Sequence, residues 1–581
     1  MKFLKKSLII LMILLIIPSN AHVPGKESTK NTIVNLEDYL VVVTILPKNP
    51  EVGGDSEVIV TAINLENEDF FNGTVKIKIE SLDSEEIKYE SFATQFKKGY
   101  YEIKYVFKKS GKYIVHITLI EPNGKELTTK IPIEVIGSNI FGVLFADLII
   151  AILLISFIAT VYFDKKNNLE KRKYNLLKID FINNIVKSRK FQFLTQVPMV
   201  FFYFILIFAG LYGIQSHSGK NIATVGLWTL WWILIIFAIL FVGKLWCLIC
   251  PIAAIGDWIQ RGTFWKKKSK SFGLNKKWPK KFRNLYIAAA FFIILTWFEL
   301  GSKITANPLY TAYILIFMLV AAIISAIIFE RRSFCKYACF IGGISGLYSL
   351  MSPTELRSNN KAICKECKAK ACIKGNEKGY GCPVFQYLGT MKENTYCLLC
   401  TECVKTCPKN NTSFNIRPFA MDLIKSTKKR KDEAYMALII FSLTLFHTVT
   451  MTQFWNDLIA LIKATTRINN NYILFTLAMT ILTLIPIVMY YIFSKISKII
   501  SGNLEIPLKT LFINYAYTLL PVALFTHLAH NSMHLFRESQ NIIPVLSDPF
   551  GFGWNLFGTA SWSMNPILQI STIRYFQFFL V

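Results

Sequence analysis

The sequence predicts a multi-pass α-helical membrane protein with an N-terminal extracytoplasmic β-sandwich and a small cytosolic α+β domain rich in cysteine. Three observations predict it. Hydrophobic residues fill 53% of the 581 positions and mean hydropathy is +0.39, more apolar surface than a soluble chain of this size carries. Strand-like alternation is confined to the first 138 residues. All 12 cysteines lie between positions 247 and 407.

Residues 1–21, "MKFLKKSLIILMILLIIPSNA", have the make-up of a secretory signal. Lys2, Lys5 and Lys6 precede an apolar run from Leu8, and Ser19-Asn20-Ala21 supplies a small-residue cleavage site. Residues 22–138 form the expected outer domain. In "GTVKIKI" (73–79), Val75, Ile77 and Ile79 share one face while Lys76 and Lys78 share the other. "YEIKYVF" (101–107) and "KYIVHITLI" (112–120) repeat this period of two, and "EPNGK" (121–125) marks a turn. Six or seven short strands in roughly 115 residues suit an immunoglobulin-like sandwich, here without a cysteine.

Eight apolar segments follow, each near the length that crosses a bilayer. They lie at 140–163, 197–214, 225–243, 285–301, 309–329, 434–453, 471–493 and 508–530. The chain then divides into a first transmembrane helix (139–163), a basic linker (164–196), membrane hairpins (197–350), the cysteine-rich domain (355–415) and a C-terminal transmembrane region (430–581). Charge orients it. The outer domain holds 18 acidic and 14 basic side chains between 23 and 138, so the net +28 resides elsewhere. Segment 164–190 carries nine basic and three acidic residues, and 251–284 carries ten basic residues against Asp257 alone. With an exported N-terminal domain, alternating crossings put every basic loop in the cytosol, as the positive-inside rule requires. This pattern argues against nucleic-acid binding. It points to the cell (inner) membrane, with "WKKKSKSFGLNKKWPKKFR" (265–283) contacting anionic lipids. The cysteines all fall on the cytosolic side, where thiols stay reduced.

Chemistry concentrates in three places. Cys397-x2-Cys400-x2-Cys403-x3-Cys407-Pro408 has the spacing that holds a cubane [4Fe–4S] cluster, with the cysteine before proline reaching a neighbouring cluster. Cys364, Cys367, Cys372 and Cys382-Pro383 form a second set. Crossed ligation gives one cluster to Cys364, Cys367, Cys372 and Cys407, and the other to Cys382, Cys397, Cys400 and Cys403. The small domain thus becomes a 2[4Fe–4S] ferredoxin-like unit. "IKGNEKGYG" (373–381) lengthens the first set and reads as a surface loop.

The second place is an internal repeat. "WCLICPIAAIG" (246–256) and "FCKYACFIGGISG" (334–346) each end a hairpin of two spans. Cys247, Cys250, Cys335 and Cys339 should therefore gather at one inner surface. A further iron–sulfur centre, redox-active or metal-passing thiols, and reduced structural cysteines all remain open for them. The third place is "HLAHNSMH", where His527, His530 and His534 share a helical face at the outer end of the last span, with His447 as a partner. Ligation of haem b, a quinol-site base, a metal site and plain hydration are the roles open there.

The paired motifs "WCLICP" and "FCKYACF" followed by a two-cluster ferredoxin segment resemble the NapH/NosR-like membrane polyferredoxins over residues 195–410. The resemblance implies an inner-membrane iron–sulfur electron carrier. It would pass single electrons between cytosolic [4Fe–4S] clusters and a membrane quinone or an extracytoplasmic redox partner. It also implies that the eight ferredoxin cysteines are ligands and that Cys247, Cys250, Cys335 and Cys339 are redox-essential. An accessory role, reducing a metal ion or thiol during maturation of a respiratory enzyme, is the alternative. Two departures stand out. Phe340 follows Cys339 where the family has proline, and the N-terminal domain lacks a flavin-attachment motif.

Overall fold

The computed structural model describes residues 30–46, 50–65, 69–83, 88–97, 99–137, 173–266, 272–425, 429–502, 505–562, 564 and 566–581, with isolated positions between 144 and 162. The expected signal segment 1–21 and most of the first span, 140–163, lie outside the described residues.

Among the described residues nine strands form the N-terminal unit: β1 (Lys30–Leu36), β2 (Tyr39–Leu46), β3 (Asp55–Asn64), β4 (Thr74–Ser81), β5 (Lys88–Phe92), β6 (Thr94–Lys97), β7 (Tyr100–Val106), β8 (Gly111–Ile120) and β9 (Glu126–Val135). They make two antiparallel sheets, ordered β1-β2-β3-β7-β6 and β5-β4-β8-β9. The alternation seen in the sequence is the reason for the core. Val43 and Val60 from the first sheet pack with Ile77, Val115, Ile117 and Ile131 from the second in one buried cluster. At the β8–β9 turn, Gly124 takes φ +86°, a conformation that costs glycine little, while the Asn123 side chain accepts from Lys125 N at 2.9 Å.

The remainder is mostly helical. Its helices among the described residues include α1 (Phe191–Tyr212), α2 (Trp232–Val242), α3 (Trp246–Ile249), α4 (Pro251–Arg261), α5 (Tyr286–Gly301), α6 (Pro308–Ile328), α7 (Ser333–Tyr337), α8 (Phe340–Tyr348), α9 (Lys361–Glu366), α10 (Ala371–Lys374), α11 (Glu402–Thr406), α12 (Lys431–Thr450), α13 (Gln453–Thr466), α14 (Asn471–Ile500), α15 (Leu508–Ala516), α16 (Leu519–Glu538) and α17 (Ile570–Leu580). Six helical stretches among the described residues are long and apolar enough to cross a membrane. Helix α5 is apolar but shorter. A stretch of wide π-type turns, Val225–Trp231, leads into α2. The stretch between the apolar segments 434–453 and 471–493 contains α13, whose Trp455, Leu458 and Ile462 pack on Leu474 and Ala478 of α14. Helix α17 was not marked by a long apolar run, and it packs through Ile573 and Phe576 into the core shared with α16.

The separate ferredoxin-like domain expected at 355–415 is not a distinct body. Its strands β11 (Thr354–Ser358) and β12 (Thr412–Ile416) pair in one sheet with β10 (Tyr174–Asn175) from the basic linker. The Lys244 ammonium, buried at the end of α2, donates to Thr395 O at 3.1 Å, and Gln192 Nε2 of α1 donates to Cys400 O at 2.6 Å. The segment is built into the base of the helical bundle because its buried polar groups find partners there.

The bundle has two distinct ends. At one, Tyr517 beside α16 and Tyr396 of the cysteine-rich segment both donate to the Glu433 carboxylate, at 2.6 and 2.9 Å. At the other end of α16, which runs about 30 Å, Arg537 Nη1 donates to Glu51 Oε2 of the sandwich at 2.8 Å. Sandwich and cysteines therefore lie at opposite ends.

Candidate metal centres

All 12 cysteines are free thiols in described segments, and the fold sorts them into three groups of four. In the first group, Cys364 sits on α9, Cys372 on α10, and Cys367 just past α9. These three and Cys407 line one cavity, closed by Tyr387, Leu388 and Asn411. The Asn411 side-chain amide donates to Cys364 Sγ at 3.3 Å, and its backbone N–H donates to Cys407 Sγ at 3.3 Å. Cysteines 43 positions apart in sequence thus share one residue, the pairing that crossed ligation requires. The long insertion does not displace Cys372. Cys382 N donates to Cys372 O at 2.7 Å and closes the 373–381 loop at its base, while Tyr380, near the end of the loop, carries the Arg261 guanidinium 3.9 Å from its ring centre.

Cys382, Cys397, Cys400 and Cys403 form the second group, close enough that the charges of Cys400, Cys397 and Cys382 add to burial in raising the Cys403 thiol. The chain coils tightly here. Leu399 and Thr401 both take positive φ, at 51° and 60°, which wraps Cys397, Cys400 and Cys403 around a common centre. The two Cys-Pro endings repeat one local design. Phe385 and Asn410, each three residues past the cysteine, take positive φ. The next N–H then turns back, with Gln386 N donating to Cys382 Sγ at 3.2 Å just as Asn411 N does to Cys407.

The third group is the membrane-edge repeat. Cys247 lies on α3 and Cys335 on α7, each a short helix; Cys250 and Cys339 are the residues that open α4 and α8. Gly342 N donates to Cys339 Sγ at 3.5 Å, so the N-terminus of α8 faces that thiol, where negative charge is favoured, whereas Cys250 opens α4 without such a bond. Helix α8 starts at Phe340 without the proline that starts α4. Cys335 and Cys339 both feel the charges of Cys247 and Cys250, which places all four together.

The three groups are contiguous. Cys403 of the second group feels Cys372 of the first. Cys247 of the third packs with Val384 and Leu398, against Cys382 and Cys400 of the second. Arg332, 6% exposed, stands at that second junction. Its Nη1 donates to Cys247 O at 2.6 Å, and its Nε and Nη2 donate to Asp257 Oδ2 at 3.0 and 2.8 Å.

The residues fit [4Fe–4S] clusters. Burial pushes the Cys339 thiol up to about 12, Cys397 to about 11 and Cys400 to about 12. A thiolate here is costly alone and needs a bound cation to neutralise it. Among the described residues no three His, Cys, Asp or Glu side chains close on a single ion, and a cubane spaces its four thiolates wider than one ion does. When bound, such clusters supply one-electron transfer.

The histidines divide. His447 and His530 have ring centres 5.5 Å apart, as do His530 and His534. Both nitrogens of His447 are engaged, Nδ1 with Leu443 O at 2.7 Å and Nε2 with Glu299 at 3.5 Å, and His534 Nδ1 meets Glu538 at 3.0 Å. His527 does not join them. It packs against Tyr348 and Trp232, with ring centres 6.2 and 6.0 Å away. Asp257, Arg332, Asn411, Glu299 and Glu538 were not singled out in the sequence; only the position of Asn411, just after Cys407-Pro408, was a usable signal.

The comparisons bear on the third group. Residues 224–280 and 311–356 match the family model of a 4Fe-4S binding domain. The chain carries a 4Fe–4S binding domain. The two matched stretches hold Cys247 and Cys250, and Cys335 and Cys339, so the repeat read from the sequence is the part of the chain the family describes. Clusters of this type in a chain of long apolar helices make it a multi-pass membrane iron–sulfur protein. An uncharacterized protein of Methanocaldococcus jannaschii is 24% identical over 238 residues, covering 39% of this chain and 90% of that one. The soluble domain of PmoD from Methylocystis sp. ATCC 49242 aligns with 18% of this chain and 95% of its own length, at 15% identity and a TM-score of 0.15.

Proposed function

We propose that this protein is a three-cluster electron carrier of the bacterial or archaeal cell membrane, passing single electrons between its cytosolic face and a membrane quinone or an extracytoplasmic redox partner. Cys364, Cys367, Cys372 and Cys407 would hold one [4Fe–4S] cluster, and Cys382, Cys397, Cys400 and Cys403 a second. Cys247, Cys250, Cys335 and Cys339 would hold the third. The observation that carries this reading is the contiguity of three four-cysteine groups at one end of an apolar bundle, since adjacent centres are what electron transfer over a distance needs. The basic segments 164–190 and 251–284 support a cytosolic location for that end. The strand order supports an immunoglobulin-like outer domain. With β2 to β9 read as A, B, C, C′, D, E, F and G, the sheets are A-B-E-D and C′-C-F-G, and β1 is an added edge strand.

Iron and acid-labile sulfide analysis of the anaerobically purified chain tests the reading. Three clusters give about twelve of each per chain, two give about eight. A colourless protein with zinc in place of iron would overturn it.

A further inference from the structure

A second cavity lies where the repeat meets the second cysteine group. It holds about 200 Å³, smaller than a drug-sized site and suited to a single small ring system. Its walls come from three directions: Trp278 and Arg283 before α5, Glu330 to Tyr337 around α7, and Pro383, Val384 and Phe385 just after Cys382. The rings of Trp278 and Tyr337 are nearly parallel, 25° apart with centres at 5.9 Å, and Phe385 is exposed beside them.

The charges of the cavity choose its ligand. Arg332 has its guanidinium nitrogens engaged by Cys247 O and by Asp257, a carboxylate it shares with Arg261, so it is not offered to a ligand. Lys336 Nζ donates to Val384 O at 2.8 Å and has two further protons to give. Arg283 is held through Nε to Trp278 O at 2.9 Å. Glu330 offsets one of these two remaining cations. A phosphate wants more uncompensated positive charge than this. A neutral planar ring edged with carbonyl oxygens wants two donors and flat aromatic walls, and finds both. The cavity lies at the base of the bundle, where tryptophan and tyrosine mark a membrane–water interface, so an isoprenoid tail can lie along the neighbouring apolar helices.

We infer that the cavity bounded by Trp278, Arg283, Lys336, Tyr337 and Phe385 binds a quinone headgroup, with Lys336 and Arg283 donating to its carbonyl oxygens. This rests on the electron-carrier reading and names the site of its membrane partner. It moves that partner from the histidine end of the bundle to the cysteine end.

The test is photolabelling of the full-length protein in nanodiscs with an azido-naphthoquinone, followed by peptide mapping, with iron content measured in parallel. Label is expected on peptides holding Trp278, Tyr337 or Phe385, and excess menadione should suppress it. Lys336→Ala should weaken menadione binding at least tenfold, while Lys336→Arg retains most of it and both variants keep their iron. Should Lys336→Ala lose iron, Phe385→Ala, on the exposed rim, takes its place with the same expectation. Label on peptides holding His447 or His530 would overturn the assignment. So would protection by flavin mononucleotide or phosphatidylglycerol but not by menadione. Absent iron, by contrast, overturns the electron-carrier reading while leaving the map of the quinone site legible.

Discussion

Asn411 donates its side-chain amide to Cys364 Sγ at 3.3 Å, tying together two ends of the cysteine-rich segment that lie 47 residues apart. Hydrogen bonds to cluster sulfurs favour the reduced, more negative state. Asn411→Leu is therefore expected to lower the reduction potential of the cluster held by Cys364, Cys367, Cys372 and Cys407. A differential bond strength of about 1 kcal/mol corresponds to roughly 40 mV for one electron. Potentiometric titration followed by electron paramagnetic resonance should show one cluster shifted and the others unmoved. Equal shifts in all clusters would point to a general loosening instead.

Crossed ligation makes a sharper forecast about cysteine variants. Cys407→Ser and Cys364→Ser should damage the same cluster, although they sit in different motifs. Cys403→Ser, only four positions from Cys407, should damage a different one. Paramagnetic spectra of the reduced variants decide this. If Cys407→Ser and Cys403→Ser give the same spectrum, ligation follows sequence proximity and the shared cavity is misleading.

The cysteines were legible in the sequence because ligand spacing is dictated by the cubane itself. The spans from 197 onward were legible because a bilayer demands long apolar runs. Pairing across the fold was not legible. Arg332 meets Asp257 from 75 positions away, and no local period announces such a partner. Helix α13 was missed for a related reason: it hides Ile462 against α14 but leaves Leu461 exposed, so it lacks the apolar run of a span. His527 sits at helical spacing from His530, yet it turns to Tyr348 and Trp232 because those rings occupy its side of α16. Period alone fixes a face, and the neighbours decide what it meets.

Acid should uncouple the sheet beneath the first cluster. Burial pushes the Glu355 carboxyl up, but Arg357, Arg417 and Lys173 outweigh it and hold the group at about 2. Arg417 Nη1 and Lys173 Nζ each lie 2.8 Å from its oxygens. A depressed carboxylate stabilises the fold above its unfolded value near 4.5, and that stability is lost as pH falls towards 2. At neutral pH the difference is worth about 3 kcal/mol. Glu355→Gln should melt several degrees below the wild type at pH 7, with the gap closing between about pH 5 and pH 2. A gap independent of pH would assign the loss to packing.

The sandwich is joined to the bundle by a buried ion pair, and its removal should be felt on both sides of that junction. The Glu51 and Arg537 side chains are 2% and 4% exposed, and the same carboxylate accepts from Ile570 N at 3.3 Å. Nearby, Gln569 Nε2 donates to Ile136 O at 2.7 Å. Taking away one partner of a buried pair costs about 3–5 kcal/mol, because the other charge stays in a poor solvent. Glu51→Gln should therefore raise hydrogen exchange at the start of α17 and in the loop before β3, while the cysteine end is unchanged. Glu51→Gln combined with Arg537→Met removes both charges and should recover part of the protection. If the double variant exchanges faster than the single one, the pair contributes by attraction rather than by the burden of an isolated guanidinium, and the sandwich is held chiefly by charge.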